Sequence, residues 1–143
     1  MVENPDAPRG WSVENFAKFW KNPNLTWVQY ACAPDIVAYW PWDPKPVHGV
    51  EAYTKGLATV LAIVPDIRLE VIAHAWTGDL VFVHWRATGT GSKGPFELFG
   101  VDRFRIVNGV AVETRVFFDS ARFRSAIGRF RVMYRLARVA LRR

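Results

Sequence analysis

A single cysteine, Cys32, stands among the 143 residues. That excludes an intramolecular disulfide framework and a multi-thiolate metal site within one chain. No apolar run approaches the roughly 18 residues of a membrane span. The opening MVENPDAPRG carries two acids and no apolar stretch, so it does not read as a secretory signal. The motifs GxSxG and GxxxxGK(S/T) are missing, which leaves serine-hydrolase and P-loop readings without support; the glycine-rich Gly89–Gly94 stretch reads as punctuation between two strands. His48, His74 and His84 show neither HxxxH nor HxH spacing, and no metal site is expected. These absences lead to the expectation of a soluble cytoplasmic protein that works without a cofactor.

Acid is also missing from the end of the chain. Residues 1–119 hold 11 Lys/Arg against all 13 Asp/Glu, a net −2, whereas residues 120–143 hold eight Arg and no acid. The basic character is therefore a C-terminal property. Three readings stay open for it: a solvated helix face with snorkelling arginines, docking on an anionic membrane surface or partner through Arg131, Arg135, Arg138 and Arg142, and nucleic-acid binding. The last is disfavoured because no nucleic-acid motif accompanies the arginines.

What the chain has in quantity is apolar and aromatic matter. Half the residues are apolar, 15% are aromatic and seven are Trp, enough for the core of one domain of this length. Residues 1–10 read as a disordered lead-in. Ser12 can cap a helix at about 13–22 with Val13, Phe16, Ala17 and Trp20 on one face. Asn24 can cap a second short helix carrying Leu25, Trp27, Val28 and Cys32. Ala33-Pro34-Asp35 is expected to turn the chain into a short strand, Ile36 to Trp40, before the proline-rich extended connection PWDPKPVHG. A third helix, about 50–63, shows Val50, Tyr53, Leu57, Val60, Leu61 and Val64 at helical spacing.

After Pro65 the period changes to two. Strands are expected at about 67–76, 79–90, 95–107 and 110–119, the last pair joined by Asn108-Gly109, a strong two-residue hairpin signal. Helices first and an antiparallel meander afterwards make an α+β domain over 11–119. Residues 120–143 are expected to form a basic amphipathic helix, broken at Gly128.

Strand 95–107 carries the residue that breaks the pattern. Its even positions, Phe96, Leu98, Gly100, Asp102, Phe104 and Ile106, face one side. Asp102 therefore falls among apolar neighbours, where a carboxyl must be paired, protonated or set in a cavity. It is either a desolvated acid–base group or a structural Asp bonded to a Tyr, a Trp or a backbone N–H. In strand 79–90 the favoured inward face is Val81, Val83, Trp85 and Ala87. A one-residue slip would instead bring in His84 and Arg86.

The segments FAKFWKNPN, APDIVAYW, VHGVEAYTKGL, GVDRFRIVNG and RVFFD, in this order and spacing over about 12–119, resemble the NTF2-like superfamily, in its SnoaL-like polyketide cyclase and ketosteroid isomerase branch. The resemblance implies a cone, a curved antiparallel sheet wrapped around the N-terminal helices with an apolar pocket at one end, and a homodimer packed through the outer sheet face. In that comparison Asp102 matches the ketosteroid isomerase Asp that stays protonated and donates to the reacting oxygen. The isomerase's general base falls at Trp40 and its oxyanion-hole Tyr at about Phe16. The cyclases' catalytic Asp falls at Val116 and their strand His at Asp102. The epoxide hydrolases' polar positions fall near Trp85, Ala87 and Val116.

One polar position survives, and the expected pocket is wide and aromatic, lined by Phe16, Trp20, Tyr39, Trp40, Trp85, Leu98, Val116 and Phe118, with Asp43 and Tyr39 as polar candidates at its mouth. Its expected occupant is a small hydrophobic molecule, polycyclic or isoprenoid. The implied activity is a cofactor-independent isomerisation, cyclisation or dehydration with Asp102 as catalytic residue. The alternatives are non-catalytic ligand binding and docking through the arginine-rich helix.

Overall fold

The computed structural model describes residues 5–128, 137–138 and 140–141. Helix α1 (Val13–Lys21) starts where the Ser12 hydroxyl accepts the Asn15 N–H at 3.0 Å, and it buries Phe16 and Trp20. Asn24 caps a 3₁₀ turn (Leu25–Trp27) that runs into the short α2 (Val28–Ala31). Cys32 then opens strand β1 (Cys32–Tyr39) and does not belong to the helix. The expected turn at Ala33-Pro34-Asp35 is in fact the first half of this strand. A register shift between Cys32 and Val37 takes up the proline, which cannot donate to a ladder.

The proline-rich connection includes a short strand β2 (Val47–His48), and α3 (Val50–Ile63) follows with Tyr53, Leu57, Val60 and Ile63 buried. Four long strands complete the sheet: β3 (Arg68–Thr77), β4 (Leu80–Gly91), β5 (Gly94–Val107) and β6 (Val110–Phe118). Their order is β2-β1-β6-β5-β4-β3. The antiparallel meander holds from β3 to β6, but β1 runs parallel to β6, so the sheet is mixed rather than antiparallel throughout. Asn108 and Gly109 both take positive φ, 52° and 80°, as a type I′ hairpin requires.

Alternation decides the faces. Val81, Val83, Trp85 and Ala87 are buried on the inner side of β4, and His84 is exposed outside, so the one-residue slip does not occur. Helix α1 packs on β3 and α3 on β1, filling the concave side. The sheet is curved and unclosed, with β2 and β3 at its edges.

One expectation at the chain ends changes. Within the lead-in, Ala7 is buried, Gly10 N–H donates to Tyr30 O at 2.9 Å and Trp11 N–H to Gly109 O at 2.8 Å. Residues 5–10 are therefore packed on the domain. At the other end, α4 (Ser120–Ile127) stops at Gly128, whose φ of 88° suits glycine. Phe123 and Ile127 of α4 face the core, while Leu141 is exposed. Arg131, Arg135 and Arg142 lie outside the described residues and Arg138 is exposed. No helix of the described residues is long and apolar enough to cross a membrane.

Candidate active site

Asp102 sits in the middle of β5 on the inner face, opposite Val83 of β4 and Val116 of β6. Only 5% of it is exposed. The Trp85 indole N–H donates to Asp102 Oδ1 at 2.9 Å. Gly100 makes that bond possible. It lies directly across from Trp85, and a Cβ at position 100 would overlap the Trp85 six-membered ring and come within 2.8 Å of Phe117 O. The missing side chain lets the indole lie flat across β5 and reach two residues along. No other hydrogen bond from the described residues reaches the Asp102 carboxyl.

The group thus has a buried Trp partner and also lines a cavity. Burial pushes its pKa up to about 7 from 3.8, and the Trp85 bond, which favours the charged form, opposes this only in part. At neutral pH a large share of the protein carries a neutral carboxylic acid here, able to donate through one oxygen while the other accepts from Trp85.

The cavity is about 50 Å³. Trp20, Trp40, Trp85, Leu98, Val116 and Phe118 line it. Phe16 does not: it packs edge-on against Phe104, centroids 5.7 Å apart, and lines a second cavity of about 60 Å³ beneath Trp11. Trp20, Tyr53 and Leu57 form the wall between the two. Tyr39 does not line it either, because it neighbours Trp40 on a strand and points to the other face, into a surface groove that also takes Asp43. Sequence reasoning missed Trp42 and Tyr53. Tyr53 was visible on the apolar stripe of α3. Burial holds its hydroxyl well above its usual pKa, with Cys32 and Asp102 adding to the shift, so it too stays protonated.

The expected wide pocket is narrowed to a small void in this structure. A void of about 50 Å³ holds a few water molecules at most, since one water needs about 10–15 Å³. The narrowing element is aromatic. Trp42, 44% exposed, stacks on Trp40 with centroids 4.9 Å apart and rings 13° from parallel, and touches Phe118. Trp40 in turn lies on α3 at Gly56, where a Cβ would come within 2.8 Å of the indole. Cys32 lines only the second cavity, and burial pushes its thiol up to about 12, which leaves it inert as a nucleophile. The described residues contain no cluster of His, Cys, Asp and Glu able to hold a metal.

A concave mixed sheet around helices, with one carboxyl facing an aromatic hollow, defines an NTF2-like protein of the pocket-bearing kind. More narrowly, the SnoaL-like domain matches residues 13–114, and the chain belongs to that family. No curated protein matches it. Among solved structures it is similar to a candidate SnoaL-like polyketide cyclase from Jannaschia sp. CCS1, at 20% identity and a TM-score of 0.72 over 80% of this chain and 90% of that one. A loop-truncated IdmH is similar at 26% identity and a TM-score of 0.69, over 79% and 94%; wild-type IdmH is a candidate polyketide cyclase from Streptomyces antibioticus. TerC, crystallised with polyporic acid, is similar at 19% and 0.69, over 78% and 91%.

Proposed function

We propose that this protein binds a small hydrophobic molecule, polycyclic or isoprenoid, beside Asp102 and isomerises, cyclises or dehydrates it without a cofactor. Asp102 is the catalytic residue. Its neutral carboxyl donates a hydrogen bond, or the proton itself, to a ligand carbonyl or hydroxyl, and the carboxylate formed takes a proton back from an adjacent carbon. The observation that carries this reading is a buried carboxyl, only 5% exposed, whose pKa burial pushes up to about 7, in the wall of an aromatic cavity. The candidate cyclase neighbour and the co-crystallisation of TerC with polyporic acid support the ligand class.

The test is a carbon-detected NMR titration of the Asp102 carboxyl, followed by a substrate screen. The midpoint is expected near pH 7, and Asp102→Asn should abolish turnover of any ligand the wild type converts. A midpoint near 4, or full turnover by the variant, removes Asp102 from the chemistry. The Trp85 bond favours a second reading, in which Asp102 only fixes the pocket and the protein binds without converting. Affinity would then persist in Asp102→Asn while neither form yields product.

Two copies pair, on this proposal, through the outer sheet face around Phe82 and Phe99, which are 38% and 48% exposed. Light scattering is expected to show a dimer, and a Phe99→Glu variant a monomer. A monomeric wild type overturns the pairing.

A further inference from the structure

Strands β1 and β6 pair only as far as Tyr39 and Arg115. Pro41 has no N–H to continue the ladder, and β6 runs on to Phe118 beside β5 alone. Where the two strands part they leave a slot of about 530 Å³. Trp40, Val116 and Phe118 belong both to this slot and to the Asp102 cavity behind it, so the slot reaches the cavity wall from the outer side of the sheet.

The charge at its rim is unusual for this sheet. Arg86, Arg103 and Arg105 each hold a carboxylate at 2.7–3.2 Å. Arg115 holds none among the described residues, and its buried Nε has no partner. Its guanidinium instead stacks on the Tyr39 ring, 4.0 Å from the centroid. It also faces Arg103 directly across the β5–β6 ladder, and the acid beside them, Glu113, is already held by Arg103 at 2.8 Å, which leaves Arg115 without a counter-charge among the described residues. The slot's own acid, Asp43, is engaged by the Lys45 backbone N–H at 2.9 Å.

We infer that this slot binds the carboxylate of an aromatic acid through Arg115, with the ring body against Trp40 and Phe118 and its far end toward Asp102. A planar guanidinium already held flat on Tyr39 suits a carboxylate in the forked geometry. The apolar walls suit a ring system and leave no counter-charge for a cationic ligand except the engaged Asp43. The inference rests on the Asp102 reading above for the direction in which the ligand points, and it narrows the ligand class to hydrophobic acids.

The test compares 2-naphthoate with 2-naphthamide by quenching of tryptophan fluorescence at pH 6. Wild type is expected to bind the acid roughly tenfold tighter than the amide, the margin of one charge-assisted pair. Arg115→Gln should erase the difference, and Arg115→Lys, which keeps the charge but not the fork, should retain part of it. Circular dichroism of both variants establishes that they fold. Equal affinities for acid and amide, a preference that survives in Arg115→Gln, or no binding of the acid overturns the inference. Asp102→Asn separates the two readings. If it weakens both probes equally while no acid preference exists, the Asp102 site stands and the slot fails; if the acid preference persists and the variant changes nothing, the slot stands and the Asp102 site fails.

Discussion

Asp102 and Arg103 are consecutive residues of β5 and live in different solvents. Asp102 faces inward, with one indole as its partner, and its carboxyl holds its proton up to about pH 7. Arg103 faces outward and meets Glu113 at 2.8 Å, both side chains about a quarter exposed. Across the outer face the carboxylates of Glu70, Glu97 and Asp79 are similarly paired with arginines. The pleat sends carboxyls of ordinary chemistry to opposite sides of one sheet, and dielectric and partner then decide what each can do. A salt bridge on the wet side trims surface charge, whereas a lone carboxyl on the dry side stores a proton.

The contrast is sharpest in pH dependence. Burial raises the Asp102 pKa, so between about pH 4 and 7 the folded protein binds more protons than the unfolded chain, and stability is lost as pH rises through that window. A shift from 3.8 to about 7 is worth on the order of 4 kcal/mol. Asp102→Asn should remove that slope, which urea unfolding at pH 4.5 and pH 8 would read as a difference between variant and wild type. Parallel profiles would break the comparison.

Gly100→Ala comes next. It forces the Trp85 ring off its bed and away from Oδ1, at about 1–3 kcal/mol for overpacking. Because the lost bond favours the charged form, the Asp102 midpoint should also move up. An unchanged thermal midpoint would show that the indole is not wedged. The smallest effect belongs to the outer face, where, in the monomeric Phe99→Glu background, Glu113→Gln should cost under about 1 kcal/mol and fade in salt. A larger, salt-independent loss would mean that the outer face is covered.

The sheet was the most legible part of the chain, because a period of two fixes both register and facing, and it placed Asp102 inward directly. The β1 boundary was obscured by Pro34, which reads locally as a turn but is absorbed at a register shift. Phe16 and Tyr39 were misplaced for geometric reasons. A wall of Trp20, Tyr53 and Leu57 separates Phe16 from the site, and strand alternation turns Tyr39 away from its neighbour Trp40. The part played by Gly100 was visible only as an inward-facing position with no side chain. Its meaning depends on Trp85, which lies opposite it on another strand.

Trp11 lines the second cavity, yet its backbone N–H finds its acceptor at Gly109, in the turn of the last hairpin. The first residues of the domain are thus anchored by its final hairpin, so a loosened turn near one end of the sequence frees an aromatic wall near the other.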